Sequence, residues 1–176
     1  MKRFLLPLLL ICSVTAVAQN NSILVSTAGI GELKPGLKKA ELEILLNRKF
    51  ILNNLAIGRN QVGRDTVQLV YNGIEAQVIF QKEFFGNNNF HFVVMEVMTS
   101  NAGIKTMSGI AIGDDAQKII TTHNESMLEI LPAYKNKVKI ENKSVLRLQN
   151  KNTNNVILFH LVDNKVVGFS VVANGC

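Results

Sequence analysis

Thr66-Val-Gln-Leu-Val-Tyr71, then Asn72-Gly73, then Ile74-Glu-Ala-Gln-Val-Ile-Phe80 is the stretch on which the fold turns. Both flanking runs alternate apolar and polar residues, the period of a strand with one buried face. Asn-Gly between two such runs is the strongest short hairpin signal, because both residues tolerate the positive φ of a type I′ turn. Gly86-Asn-Asn-Asn89 then turns the chain into a β-rich run, Phe90–Met98, so three antiparallel strands are expected in a meander.

Ahead of the meander, Leu33, Leu37, Ala40 and Ile44 recur at helical spacing, with Leu45 widening the stripe. Pro35-Gly36 punctuates the start, so a helix is expected from about Leu37 to Asn47. The second half repeats the order. Ile112-Gly-Asp-Asp115 precedes Ala116, Ile119, Ile120 and His123 at helical spacing, with Asp115 placed to cap the first turn. Ser144–Gln149 reads as a strand and Asn150–Asn155 as a loop. Val156–Val162 and Lys165–Val172 read as a hairpin around Asp163-Asn164.

Gly36 and Gly113 lie 77 residues apart, and at that offset Leu42 falls on Ile119. The expected fold class is therefore α+β: two repeated units of one helix and a three-stranded antiparallel sheet, with the helices on one sheet face. The first unit would span residues 19–100 and the second 101–176, joined near Ser100–Ser108.

Residues 1–18 read as a secretory signal peptide. Lys2 and Arg3 precede an apolar stretch from Phe4 to Val14, and Ala16-Val-Ala18 offers the small residues a signal peptidase reads. The run is too short to span a bilayer core, which takes about 20 apolar residues. The mature chain would begin at Gln19. Lipid attachment at Cys12 is the rival, disfavoured because bulky Ile11 stands where a small residue is usual. The expected address is the periplasm or the exterior.

After removal of the signal, the only cysteine is Cys176, so no intramolecular disulfide can form. A mature chain of this length buries about 70% of its unfolded surface and needs no staple. The formal charge of +6 falls to +4 once Lys2 and Arg3 leave. Basic residues near 38–49 and 135–143 are interleaved with Glu41, Glu43 and Glu141, which reads as a solvated surface rather than a nucleic-acid footprint.

The openings Glu32-Leu-Lys-Pro-Gly-Leu-Lys-Lys-Ala-Glu-Leu42 and Ser108-Gly-Ile-Ala-Ile-Gly-Asp-Asp-Ala-Gln-Lys-Ile119 carry a family resemblance. They resemble the I-x-x-G-M-[ST]-x-x-E-V opening of small exported α+β domains. These include the barrel-assembly lipoproteins of the SmpA/OmlA type and the tandem β-lactamase inhibitor proteins. The closing Leu158-Phe-His-Leu-Val-Asp-Asn-Lys-Val-Val-Gly-Phe-Ser-Val is similar to their last hairpin. The resemblance implies a binding protein rather than an enzyme. It departs from the lipoproteins in having two units and a poor lipobox, and from the inhibitors in lacking a disulfide and any tryptophan.

No motif states a chemistry. The three histidines, His91, His123 and His160, are not spaced as metal ligands, and Asp114-Asp115 reads as helix capping; no metal, cofactor or catalytic residue is expected. The uneven feature is aromatic: five of nine phenylalanines fall between positions 80 and 92. Phe84, Phe85, Phe90 and His91 flank the Gly86–Asn89 turn and are the expected binding residues, as exposed aromatic anchors. The competing reading packs these rings in the core or between the units. The function expected is an exported, non-enzymatic protein-interaction module whose partner is an envelope or extracellular protein. The alternatives are a periplasmic carrier or sensor of a small apolar ligand held between sheet and helices, and a hydrolase with scattered catalytic residues.

Overall fold

The computed structural model describes residues 23–52, 63–85, 89–149 and 154–173. The signal peptide at 1–18, Cys12, Gln19, the turn residues 86–88, the loop residues 150–153 and Cys176 lie outside the described residues.

Two short strands, β1 (Leu24–Ser26) and β2 (Gly29–Ile30), precede helix α1 (Lys39–Leu45). Three long strands follow: β3 (Arg64–Tyr71), β4 (Ile74–Phe84) and β5 (Phe90–Thr99). The second half has a short β6 (Lys105–Thr106), helix α2 (Ala116–Thr122) and four strands, β7 (Met127–Lys135), β8 (Val138–Gln149), β9 (Asn155–Val162) and β10 (Lys165–Ala173). The long strands form one antiparallel sheet in the order β3-β4-β5-β10-β9-β8-β7, and β2-β1-β6 forms a small second sheet.

This corrects the expected α+β architecture of two helix-plus-three-strand units with helices on one sheet face. The fold is mostly β, with two helices of seven residues each. Instead of two separate sheets, β5 pairs with β10 through Phe169–Thr99, Ser170–Met98, Val171–Val97 and Val172–Glu96. The free edges of two apolar meanders satisfy one another's backbone groups, which two isolated sheets would leave unpaired. The count of strands also fails, because β7 adds a fourth to the second half. Its side chains are largely exposed and it contains Pro132, so it lacks the strand pattern; as an edge strand it tolerates the missing N–H.

Of the other elements, the turns and helix starts follow the reading, but α1 is Lys39–Leu45 rather than Leu37–Asn47, β8 begins at Val138 rather than Ser144, and β1, β2 and β6 carried no signal that was read. Asn72 and Gly73 have φ of 48° and 79°, the type I′ geometry expected, and Tyr71 pairs with Ile74 across them. Asp163-Asn164 makes the same turn, and so does Asn136-Lys137, which no sequence signal marked. The Asp115 side chain caps α2 by accepting from the Gln117 N–H at 2.9 Å. Lys38 leaves α1 without such a cap; there Glu41 folds back to accept the Lys38 N–H at 2.7 Å.

What repeats is how each helix is docked. Gly36 donates its N–H to the Val94 carbonyl at 2.7 Å, and the Val94 N–H returns to the Leu37 carbonyl at 2.8 Å. Gly113 donates to Val166 at 2.7 Å, and Val166 returns to Asp114 at 2.9 Å. Both glycines sit near φ 90°, which a side chain would strain. Each clasp delivers one fully buried side chain to the sheet, Leu42 from α1 and Ile119 from α2. Around them the core collects Phe80, Phe159 and Phe169, the last two edge-to-face at 5.8 Å.

Nothing lies within 4 Å of a Cβ built on either glycine, so substitution there tests backbone strain alone. Gly36→Ala and Gly113→Ala should each lower stability by about 1–2 kcal/mol. Urea unfolding should show losses that add in the double variant; no loss in either single variant would mean the clasps are not strained.

Candidate functional site

Among the described residues, β4 and β5 continue past their pairings with β3 and β10 towards the residues that the sequence singled out. The register places Phe84 opposite Phe90, Glu83 opposite His91 and Lys82 opposite Phe92. Alternation then sorts these residues between two faces. Lys82, Phe84, Phe90 and Phe92 continue the face that carries buried Phe80 and Val94 further along the strands. The Phe84 and Phe90 rings lie 6.1 Å apart, and Phe90 meets Phe92 edge-on at 5.7 Å. The Lys82 ammonium sits 3.5 Å from the centre of the Phe90 ring and 5.4 Å from that of Phe84. A cation so placed is attracted by the ring faces and orders the pair.

On the opposite face, Phe85 packs on His91 with ring centres 4.9 Å apart. Nε2 of His91 lies 2.8 Å from the Glu83 carboxylate, which fixes the imidazole beneath the phenylalanine. The tip is closed by the Phe85 N–H donating to the Asn89 carbonyl at 3.0 Å. Phe84, Phe85 and Phe90 are 58%, 57% and 39% exposed, whereas Phe80 is fully buried. The aromatic cluster therefore divides: Phe80 is core, and the three rings nearest the turn face solvent. The four expected residues meet as two pairs, Phe84 with Phe90 and Phe85 with His91.

Sequence reasoning missed a cleft of about 450 Å³ in the second half. Its lining joins nearly buried Leu148 of β8 and Ile157 of β9, with fully buried Val25 of β1, to exposed Ser108 and Glu125 and half-buried His123. Ser108 Oγ lies 2.9 Å from His123 Nε2 and 2.8 Å from Thr106 Oγ1, which accepts the Ile110 N–H at 3.0 Å. Burial pushes the His123 pKa below its usual value, favouring a neutral ring whose Nε2 can accept a proton. The only hint in the sequence was a helix-end histidine 15 residues beyond a serine. A serine beside a neutral histidine is one part of an acyl-transfer site, but among the described residues no carboxylate orients the other ring nitrogen.

The third histidine, His160, lies half-buried on β9, with Nε2 2.6 Å from Oγ of the fully buried Ser170 on β10. With no exposed surface, that hydroxyl cannot meet a substrate, and the contact serves to satisfy it within the sheet. Burial lowers the His160 pKa, opposed in part by the charge of Glu96. Among the described residues no group of three or more His, Cys, Asp or Glu converges on a metal-sized site. No helix among them is long and apolar enough to cross a membrane. No family model, curated protein or solved structure matches the chain.

Because His160 and His123 bind protons less readily folded than unfolded, the unfolded chain gains protons first as the pH falls below about 6.5. Stability should therefore decline on acidification from pH 7 through that window, measured by denaturant unfolding. His160→Gln should shrink the decline; an unchanged pH dependence would show that His160 does not contribute.

Proposed function

We propose that the chain is an exported, non-enzymatic protein-interaction module that holds an envelope or extracellular protein through the tip of its β4–β5 hairpin. The observation that carries this reading is the exposure of Phe84, Phe85 and Phe90 together at the paired ends of β4 and β5. Burying one such ring completely against a partner is worth about 1.5–3 kcal/mol. Two rings on one face and one on the other suit a slot that grips the tip from both sides, with Lys82 and Glu83 providing polar contacts beside them. Export rests on the signal-peptide pattern of residues 1–18.

The test is site-specific photo-crosslinking in the envelope of the exporting cell. A benzophenone side chain at position 84 or 85 should yield a discrete adduct with one protein, while the same probe at exposed Val70 on β3 should not. Phe84→Ala combined with Phe85→Ala should weaken capture by about tenfold or more. It should change unfolding stability by no more than about 0.5 kcal/mol, as expected of surface positions. Loss of folding in that variant, or identical crosslinking from Val70, would overturn the reading.

A further inference from the structure

The second candidate surface is the cleft framed by α2, the β1–β6 pair and strands β8 and β9, remote in sequence from the hairpin tip. We propose that this cleft binds a small amphipathic amine, its apolar body against Leu148 and Ile157 and its amine head at Ser108 and Glu125. This goes beyond the protein-interaction reading and does not depend on it.

Size and floor argue for a small molecule. A volume of about 450 Å³ falls in the range of sites for compact organic ligands, which are mainly apolar with a few converging polar groups. Leu148 and Ile157 are paired across β8 and β9, so the floor is set by strand register and not by a loop. Val25 lies against the cleft with no exposed surface of its own, fixed because β1 is held alongside β6 with Val25 opposite Thr106. A phenyl-sized body would find a preformed apolar surface there, without rearrangement of the sheet.

The rim selects the head group. Thr106 Oγ1 accepts the Ile110 N–H, so its own proton is free to go to Ser108 Oγ, and the Ser108 proton to His123 Nε2. A relay in that direction uses both hydroxyl protons and leaves Ser108 Oγ a lone pair facing the cleft. The Glu125 carboxylate at the same rim is likewise an acceptor. A rim that offers acceptors and a negative charge calls for a donor with a positive charge. A carboxylate-headed molecule with the same body would meet Glu125 as a like charge.

The experiment compares two probes with one apolar body, 4-phenylbutylamine and 4-phenylbutyrate, titrated into the purified methyl-labelled protein and followed by NMR. The amine should shift the methyl signals of Val25, Leu148 and Ile157 and the ring signals of His123. The carboxylate should bind at least about tenfold more weakly, the size expected of a partly exposed charge contact reversed in sign. Glu125→Gln, at an exposed position, should narrow that ratio while the same methyl signals still respond. Ser108→Ala, also exposed, should weaken the amine and leave the fold unchanged. Equal affinity for the two probes, or no response at these methyl groups, overturns the proposal; neither outcome bears on crosslinking at the hairpin tip.

Discussion

The β5–β10 ladder is the constraint on which the rest of the molecule depends. It is the pairing that joins the two halves within the large sheet, and its four residue pairs put Val97, Thr99, Phe169 and Val171 into one continuous core. Its symmetry goes further than the sequence suggested. Val94 and Val166, the residues clasped by Gly36 and Gly113, are 72 positions apart, and so are Val97 and Phe169. In the ladder Val97 faces Val171 while Phe169 faces Thr99, so the same offset relates each pair to the other. The two halves thus meet about a local two-fold normal to the sheet, and each helix is docked onto the strand by which its own half meets the other. Breaking this ladder would expose two apolar strand edges at once.

The same numbers explain why the repeat was only partly legible. The glycine clasps keep the 77-residue offset read from the sequence, but the central strands keep one of 72. No single alignment can satisfy both, because the second half inserts β7 and lengthens β8 while shortening other connections. Local signals survived this: the Asn-Gly turn, the helix stripes and the Asp115 cap depend on residues a few positions apart. Pairing partners did not. Strand alternation says that β5 and β10 each have a buried face, yet it cannot say that their free edges face one another. Nor could composition reveal β7, where Met127, Ile130 and Tyr134 are exposed and no alternation marks a buried side.

The site was legible to the same degree. Clustered phenylalanines beside a glycine-asparagine run pointed to the tip, and three of them are exposed there. What the sequence could not show was the division at Phe80. A register shift between Ile79 and Phe80 sets which β5 residues lie opposite those beyond it, and Phe80 then meets Phe50 at 6.1 Å in the core. Phe50 itself is held by Glu43, whose carboxylate accepts its N–H at 2.8 Å and is drawn to a pKa of about 2 chiefly by Lys39. The Ser108–His123 cleft left still less trace, because its floor comes from strands far from its rim in sequence.

Among the described residues two hairpins run on past their third strand, and they differ in what holds them. Among the described residues the β3–β4 register runs to Arg64–Gln81, the Lys82 N–H donates to the Gly63 carbonyl at 3.3 Å, and Phe84 and Glu83 pair with Phe90 and His91. Likewise Val138 and Lys139 pair with β7 while the β8–β9 ladder stops at Lys143. A two-stranded ribbon without a third strand is marginal in water and needs side-chain contacts to hold it. The β7–β8 ribbon is rich in lysine, with Lys135, Lys137 and Lys139 near its turn, and strongly hydrated ammonium groups suit a ribbon that stays in water. The β4–β5 ribbon is instead held by stacked rings, a cation over their faces and the His91–Glu83 contact. Those contacts preorganise three large apolar side chains that water solvates poorly, so a partner would pay little to order them. Exposed apolar area held in place by its own contacts is the feature on which the proposed recognition role rests, and the lysine-rich ribbon lacks it.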